Sequence, residues 1–277
     1  MSARPKLPDF ARPPLVEVAL SAQFEKIEGF RTLHVGLLWT QFRERFPKFE
    51  EHPPINPVIE QFGVPASPRG AVNFGLLTSP PLPRCWFLNL AGTELVQVQE
   101  DRFVRNWRKK GEGGYPRYKT IRRSFEEDFG TFAGFLREQS LGELKPNQCE
   151  VTYVDHVIAG EGWERHGQVE EVITLWAKRK ADAFPPEPEE VRFAVSYVIP
   201  DNHGNPLGRL HVELQPVFLR MDDKPILVLN FVARGKPKSP GIEGVLSFFD
   251  IGHEWIFRAF VSMTSSSMQE IWGRRDG

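Results

Sequence analysis

ELVQVQEDRFVRNWRKKGEGGYPRYKTIRRSFEEDF, residues 94–129, changes its periodicity halfway along. Up to Trp107 it reads as an extended run, in which Val96 and Val98 alternate with Gln97 and Gln99. That period of two belongs to a half-buried strand. From Tyr115 to Ser140 the apolar residues Ile121, Phe125, Phe129, Phe132 and Phe135 recur at spacings of three and four. That stripe belongs to an amphipathic helix. Gly111, Gly113 and Gly114 lie between, where positive φ makes a turn. The stretch therefore reads as the last strand of a meander turning into a helix, with Tyr115-Pro116 opening the helix.

Upstream, LVEVALSAQF (15–24) alternates, with Val16, Val18, Leu20, Ala22 and Phe24 on one side. FRTLHVGLLWTQFRERF then carries Leu38, Trp39, Phe42 and Phe46 on one helical stripe, and the Pro-broken EEHPPINP (50–57) ends it. Short extended runs follow at 58–63, 71–77 and 84–91, separated by turn residues. Downstream, the order repeats. CEVTYVDHVIAG (149–160) is strand-like, QVEEVITLWAKRK (168–180) helical, and 181–190 a Pro/Glu connection. Runs at 191–199, 207–219 and 226–235 alternate as strands, and a helix spans about Ile242 to Thr264. The expected fold is α+β, with two similar units, each an antiparallel sheet with helices packed on one face. An internal duplication of one unit is implied by element order alone. The expected boundaries are a loose arm over 1–13, a first unit over 14–147 and a second over 148–277.

Composition limits the function classes. The chain has 277 residues, 40% hydrophobic and 12% aromatic, enough for a substantial core. Its net charge is −1, whereas a dedicated nucleic-acid binder is basic overall, so any anion-binding role must be local. Cys85 and Cys149 form no CxxC pair and suit a reducing compartment. The first residues show no secretory pattern, and no segment reaches the ~18 apolar residues of a membrane helix. The expectation is a cytoplasmic protein with no membrane association.

PPLVEVALSAQF (13–24), LWTQFRERFP (38–47), VRNWRKKGEGGYPRYKTIRRSF (104–125), YVDHVI (153–158) and HEWIFRAFVSMTSSSMQEIWG (253–273) together form a set of aromatic and proline landmarks. The set resembles a sporadically distributed bacterial family to which no activity is assigned. The resemblance spans nearly the whole chain and implies one architecture of about this length. It implies no substrate and carries no functional residues across. Such a distribution is typical of exchanged genes, including defence and toxin–antitoxin components.

Catalytic signatures are missing. The sequence has no GxGxxG, no GxxxxGK[ST], no GxSxG and no HExxH. GEGG (111–114) lacks the Lys-Ser/Thr of a phosphate loop. The histidines share no i, i+4 spacing, so no metal or other cofactor is expected. Asp155 and His156 are strand neighbours and point to opposite faces, one buried and one exposed. His253 lies on an apolar helical stripe as a hydrogen-bonded core or interface histidine. Cys85 and Cys149 read as small core residues.

The strongest local departure is basic. Nine Lys/Arg and one acid, Glu112, lie between Arg102 and Arg123. The contact candidates are Arg105, Trp107, Arg108, Lys109, Lys110, Tyr115, Arg117, Tyr118 and Lys119. Positive charge attracts phosphate, aromatic faces stack on bases, and a helix start at Tyr115 adds a favourable field. The alternatives are a charged hairpin end with its aromatics packed inward, or a protein contact. Three functions follow from this pattern. The first is a non-enzymatic binding or adaptor component acting with a protein partner. The second is a nucleic-acid or nucleotide-phosphate binder using 102–123. The third is an enzyme with a cleft between the two units, built on His156, His211 or His253.

Overall fold

The computed structural model describes residues 7–63, 82–111, 113–177, 184–220 and 222–276. Its strands are β1 (Asp9–Phe10), β2 (Leu15–Phe24), β3 (Lys48–His52), β4 (Arg84–Leu88), β5 (Glu94–Gln99), β6 (Arg102–Arg108), β7 (Pro146–Ile158), β8 (Phe193–Pro200), β9 (Pro206–Phe218), β10 (Pro225–Gly235) and β11 (Arg274–Arg275). Its helices are α1 (Thr32–Phe42), α2 (Tyr118–Glu138), α3 (Val169–Val172), α4 (Gly241–Met263) and α5 (Ser266–Ile271). The chain is mixed α+β, and most strands belong to one nine-stranded sheet of order β3-β4-β5-β6-β2-β7-β10-β9-β8. Every neighbouring pair in it is antiparallel.

The seam between the two halves of the chain is the β2–β7 pair, where Val18 faces Tyr153, Leu20 faces Val151 and Ala22 faces Cys149. These residues are buried under the helices. α4 lies across β7 and β10, and α2 lies on β6 beside α4. α4 approaches closely because residue 252 is glycine. A Cβ there would stand 3.0 Å from Val151 Cγ2 and 3.1 Å from Ala233 Cβ. The core under α2 is aromatic. Phe103 of β6 meets Phe125, Phe129 and Phe132 at centroid distances of 5.7, 5.6 and 5.5 Å. Phe249 of α4 meets Phe125 edge-on at 4.8 Å. One buried cluster thus runs through both halves of the chain.

The other face of the sheet is polar. Residues 53–63 cross it as a strap without regular structure. Ile55 N–H donates to Gln99 Oε1 at 2.8 Å, and Val58 N–H donates to Gln23 Oε1 at 2.9 Å. Glu60 is buried against Arg209, Arg234 and His211 Nε2, the last at 2.6 Å. The extended run expected at 58–63 is therefore this strap and pairs with no strand among the described residues.

Other boundaries also differ from expectation. The run 94–107 is a hairpin, β5 and β6, that turns at Glu100-Asp101. The strand β3 replaces part of the connection expected at 50–57. Of the helix expected over 168–180, the described residues form only the four of α3, and Ile173 leaves it to bridge Thr264; 178–180 lie outside the described residues. Helix α1 stops at Phe42, though Phe46 is still buried and its carbonyl accepts from Trp39 Nε1 at 3.0 Å. The arm 1–13 is not loose in its described part. β1 pairs with β11, and Phe10 is buried against Phe260 at 5.4 Å. The run 71–77 lies outside the described residues. Among the described residues no helix is long and apolar enough to cross a membrane.

Candidate functional site

The start of α2, the middle of α4, β7 and residues 7–15 enclose a cavity of about 860 Å³. Each element delivers its residues through its own periodicity. β7 alternates, so Val151, Tyr153, Asp155 and Val157 all turn to the helix side and are buried. α4 brings Asp250, His253 and Phe257 to the cavity at helical spacings of three and four.

Tyrosines and a histidine form the inner wall. Tyr153 Oη lies 3.0 Å from Tyr115 Oη and 2.8 Å from His253 Nδ1, which links three side chains into one hydrogen-bonded chain. The Tyr118 ring stacks on the His253 imidazole at 4.0 Å and 10°. Tyr118 Oη donates to Asp250 Oδ1 at 2.7 Å, and Arg122 Nε donates to the same oxygen at 2.9 Å. Burial pushes His253 down to about 4, so its ring is neutral at neutral pH. Burial pushes Tyr115 up to about 12 and raises Tyr118 and Tyr153 as well.

Asp155 is the unusual group. It is 4% exposed and forms part of the cavity wall. No hydrogen bond or ion pair from the described residues reaches its carboxyl group. Desolvation alone pushes it up to about 8, so it is mostly protonated at neutral pH. A neutral carboxyl is a hydrogen-bond donor, and Asp155 offers its own to the cavity.

The rim is cationic. Arg117, Lys119, Arg122 and Arg123 come from the start of α2, and Arg258 from α4. Arg117 Nη1 pairs with Asp9 at 2.6 Å, Arg122 with Asp250 and Glu126, and Arg258 with Glu254 at 2.9 Å. Lys119 and Arg123 are exposed and meet no acid among the described residues. Arg117 caps the helix with φ 72° and ψ 149°, a conformation that costs a non-glycine residue about 1–3 kcal/mol. The helix therefore starts at Tyr118, two residues after Pro116. Proline keeps Tyr115 out of the α region, and Arg117 makes the turn.

The basic stretch is thus split between several surroundings. Arg105 points into the core, 3% exposed, and pairs with Asp128 at 2.8 Å and with Glu94. It faces no solvent, because its position in β6 has the same parity as Phe103. Trp107 is buried 5.4 Å from Tyr115. Arg108 faces the polar side of the sheet, 4.6 Å over the Trp86 ring and 3.4 Å from Glu17. Lys109 and Lys110 are exposed at the corner, and Lys109 borders a smaller cavity of about 430 Å³. Only Tyr115, Arg117, Tyr118 and Lys119 of the candidates meet at the large cavity.

The candidate histidines are equally dispersed. His211 is held by Glu60 under the strap, and His156 faces away from Asp155. His253 alone reaches the cavity, hydrogen-bonded as its apolar stripe led one to expect. Cys85 and Cys149 are buried, with Cys85 pushed up to about 11, so neither is a ready thiolate. Among the described residues no group of three His, Cys, Asp or Glu is arranged to hold a metal ion. The sequence placed Asp155 on a strand face without marking it as a site residue, and marked neither Tyr153 nor Asp250. A signal was present for Asp155, an acid on the apolar parity of an alternating strand. No protein-family model matches the chain, and no curated protein shows significant similarity to it.

Proposed function

We propose that this protein binds a small organic anion in the cavity between α2 and α4. The observation that carries the reading is Asp155. It is a buried, neutral carboxyl without a partner among the described residues, set in the wall of a cavity lined by Phe10, Tyr115, Tyr118, Tyr153 and Phe257, whose rim holds five cations against four carboxylates. Cavities of this size where polar groups with shifted pKa values converge on an apolar wall are where ligands bind. The rim draws an anion in, the apolar wall takes its body, and Asp155 donates to an acceptor on that body.

This keeps the expectation of a binding protein and changes the occupant to a small molecule. The nucleic-acid grip loses support, because its residues face the core, the polar sheet face, the corner and the cavity separately. A protein partner remains a further proposal; stable capture of one fixed partner supports it, and a clean monomer in lysate removes it. A second reading has its own support. A carboxyl poised near 8 beside a Tyr115–Tyr153–His253 chain is suited to proton transfer, so the cavity is also a candidate acid–base site. A duplicated architecture is likewise a proposal. The orders β4-β5-β6-β2 and β8-β9-β10-β7 on the two sides of the seam, with α2 and α4 following β6 and β10, support it. Superposing the halves tests it: coincidence of all five elements supports a duplication, and failure of the helices to coincide removes it.

The binding reading is tested by thermal unfolding with a panel of small organic anions. A true ligand at a hundred times its Kd stabilises the fold by about 2.7 kcal/mol. We expect at least one such anion to raise Tm in the wild type, and Asp155→Ala to abolish the shift. An unchanged shift in Asp155→Ala, or none for any anion at millimolar concentration, contradicts the reading.

A further inference from the structure

We infer that the ligand is a phosphate monoester of a flat apolar body, its phosphate seated at the start of α2 and its body reaching toward Asp155; this rests on the cavity being a binding site. Five cations at the rim face four carboxylates, but Arg122 takes both Asp250 and Glu126. Arg117 and Arg258 take Asp9 and Glu254. Among the described residues Lys119 and Arg123 are left over, one helical turn apart, and both line the cavity.

The helix itself adds to them. α2 is 21 residues long, carries no acid in its first turn, and no side chain caps its first N–H groups. Those groups and the helix dipole favour an anion there. A carboxylate is satisfied by one guanidinium, whereas a phosphate monoester carries close to two charges and three acceptor oxygens. Two cations without an acid, beside a helix start without a side-chain cap among the described residues, match the phosphate.

The other end of the cavity points independently to a bound molecule. Asp155 is 4% exposed, lines the same cavity and has no hydrogen-bond partner among the described residues. A phosphate at α2 leaves Asp155 free to donate to an oxygen or ring nitrogen on the far side of the body. Phe10, Leu15, Phe257 and Phe260 line the space between.

The test compares phenyl phosphate with benzoate, which share a ring and differ in the anion. Binding is followed by calorimetry and by tryptophan fluorescence, because Trp107 lies 5.4 Å from Tyr115. Two added charge-assisted contacts make phenyl phosphate bind at least about ten-fold more tightly. Its affinity falls below about pH 6, where phosphate takes up its second proton, and that of benzoate does not. The double variant Lys119→Ala/Arg123→Ala, both exposed, reduces phenyl phosphate to the benzoate level; Asp155→Asn keeps the preference. Equal affinities for the two anions, or a preference that survives in the double variant, overturn the phosphate assignment and leave the cavity reading standing. Binding of neither anion while another small organic anion binds removes the phosphate assignment alone, and no saturable binding by any anion of the panel removes both.

Discussion

At the scale of single residues, Asp155 and His253 make opposite demands on pH. Asp155 is raised from an ordinary 3.8 to about 8, so the folded chain holds a proton there that the unfolded chain releases. Its contribution to stability is complete below about 4 and is lost as pH rises through 8. His253 is lowered from 6.5 to about 4, so its contribution is present above 6.5 and is lost as pH falls toward 4. The two slopes cancel between about 4 and 6.5, and Asp155 alone acts above that. We therefore expect Asp155→Asn to gain stability over the wild type across pH 6.5–8, by about 1 kcal/mol per unit. Denaturant unfolding across this range measures it; parallel pH profiles for the two proteins contradict it. Arg117 gives a second expectation at this scale. Arg117→Gly relieves the φ 72° strain and raises stability by about 1 kcal/mol, whereas a lower denaturation midpoint shows that the Asp9 pair outweighs the strain. Sequence alone placed Asp155 and His156 on opposite faces, because alternation is local. It did not show which face carried a cavity, since that depends on α4, about a hundred residues away.

At the scale of elements, the readable parts were those with one wet and one dry face. α2 and α4 showed their stripes because each buries a single face on the sheet. β3 was missed because Lys48–Glu51 are all exposed, so its sequence has no alternation to read. The β5–β6 hairpin was read as one strand because its turn, Glu100-Asp101, has neither Gly nor Pro. Residues 58–63 read as a strand because turn residues bound a short apolar run, yet their backbone partners are side chains such as Gln23 and Arg209. Two substitutions test how the elements are held. Gly252→Ala pushes α4 against Val151 and Ala233, and an overpacking cost of about 1–3 kcal/mol outweighs a helix-propensity gain of about 1 kcal/mol, so stability falls. Asp128→Ala strips Arg105 of its α2 partner in the core and costs about 3 kcal/mol or more. Denaturant midpoints within error of the wild type would show that the helices are held by other contacts.

At the scale of the whole molecule, the β2–β7 seam decides where ligand chemistry can sit. It joins the strands of both halves in one sheet and sets α2 beside α4 over it. The N-terminal residues then close the side, with Asp9 on Arg117 and Phe10 on Phe260. None of these pairings is local, and for that reason the cavity is not legible in the sequence, although the sequence marks Tyr115, Arg117, Tyr118 and Lys119 as contact candidates and His253 as a hydrogen-bonded histidine. Nuclear magnetic resonance mapping of backbone amides during titration with small organic anions tests the central claim most directly. The claim predicts saturable shifts clustered at 115–123, 153–155 and 250–258, absent in Asp155→Ala. Shifts confined to the polar face around Arg108 and Trp86, or no saturable shifts at all, would contradict it.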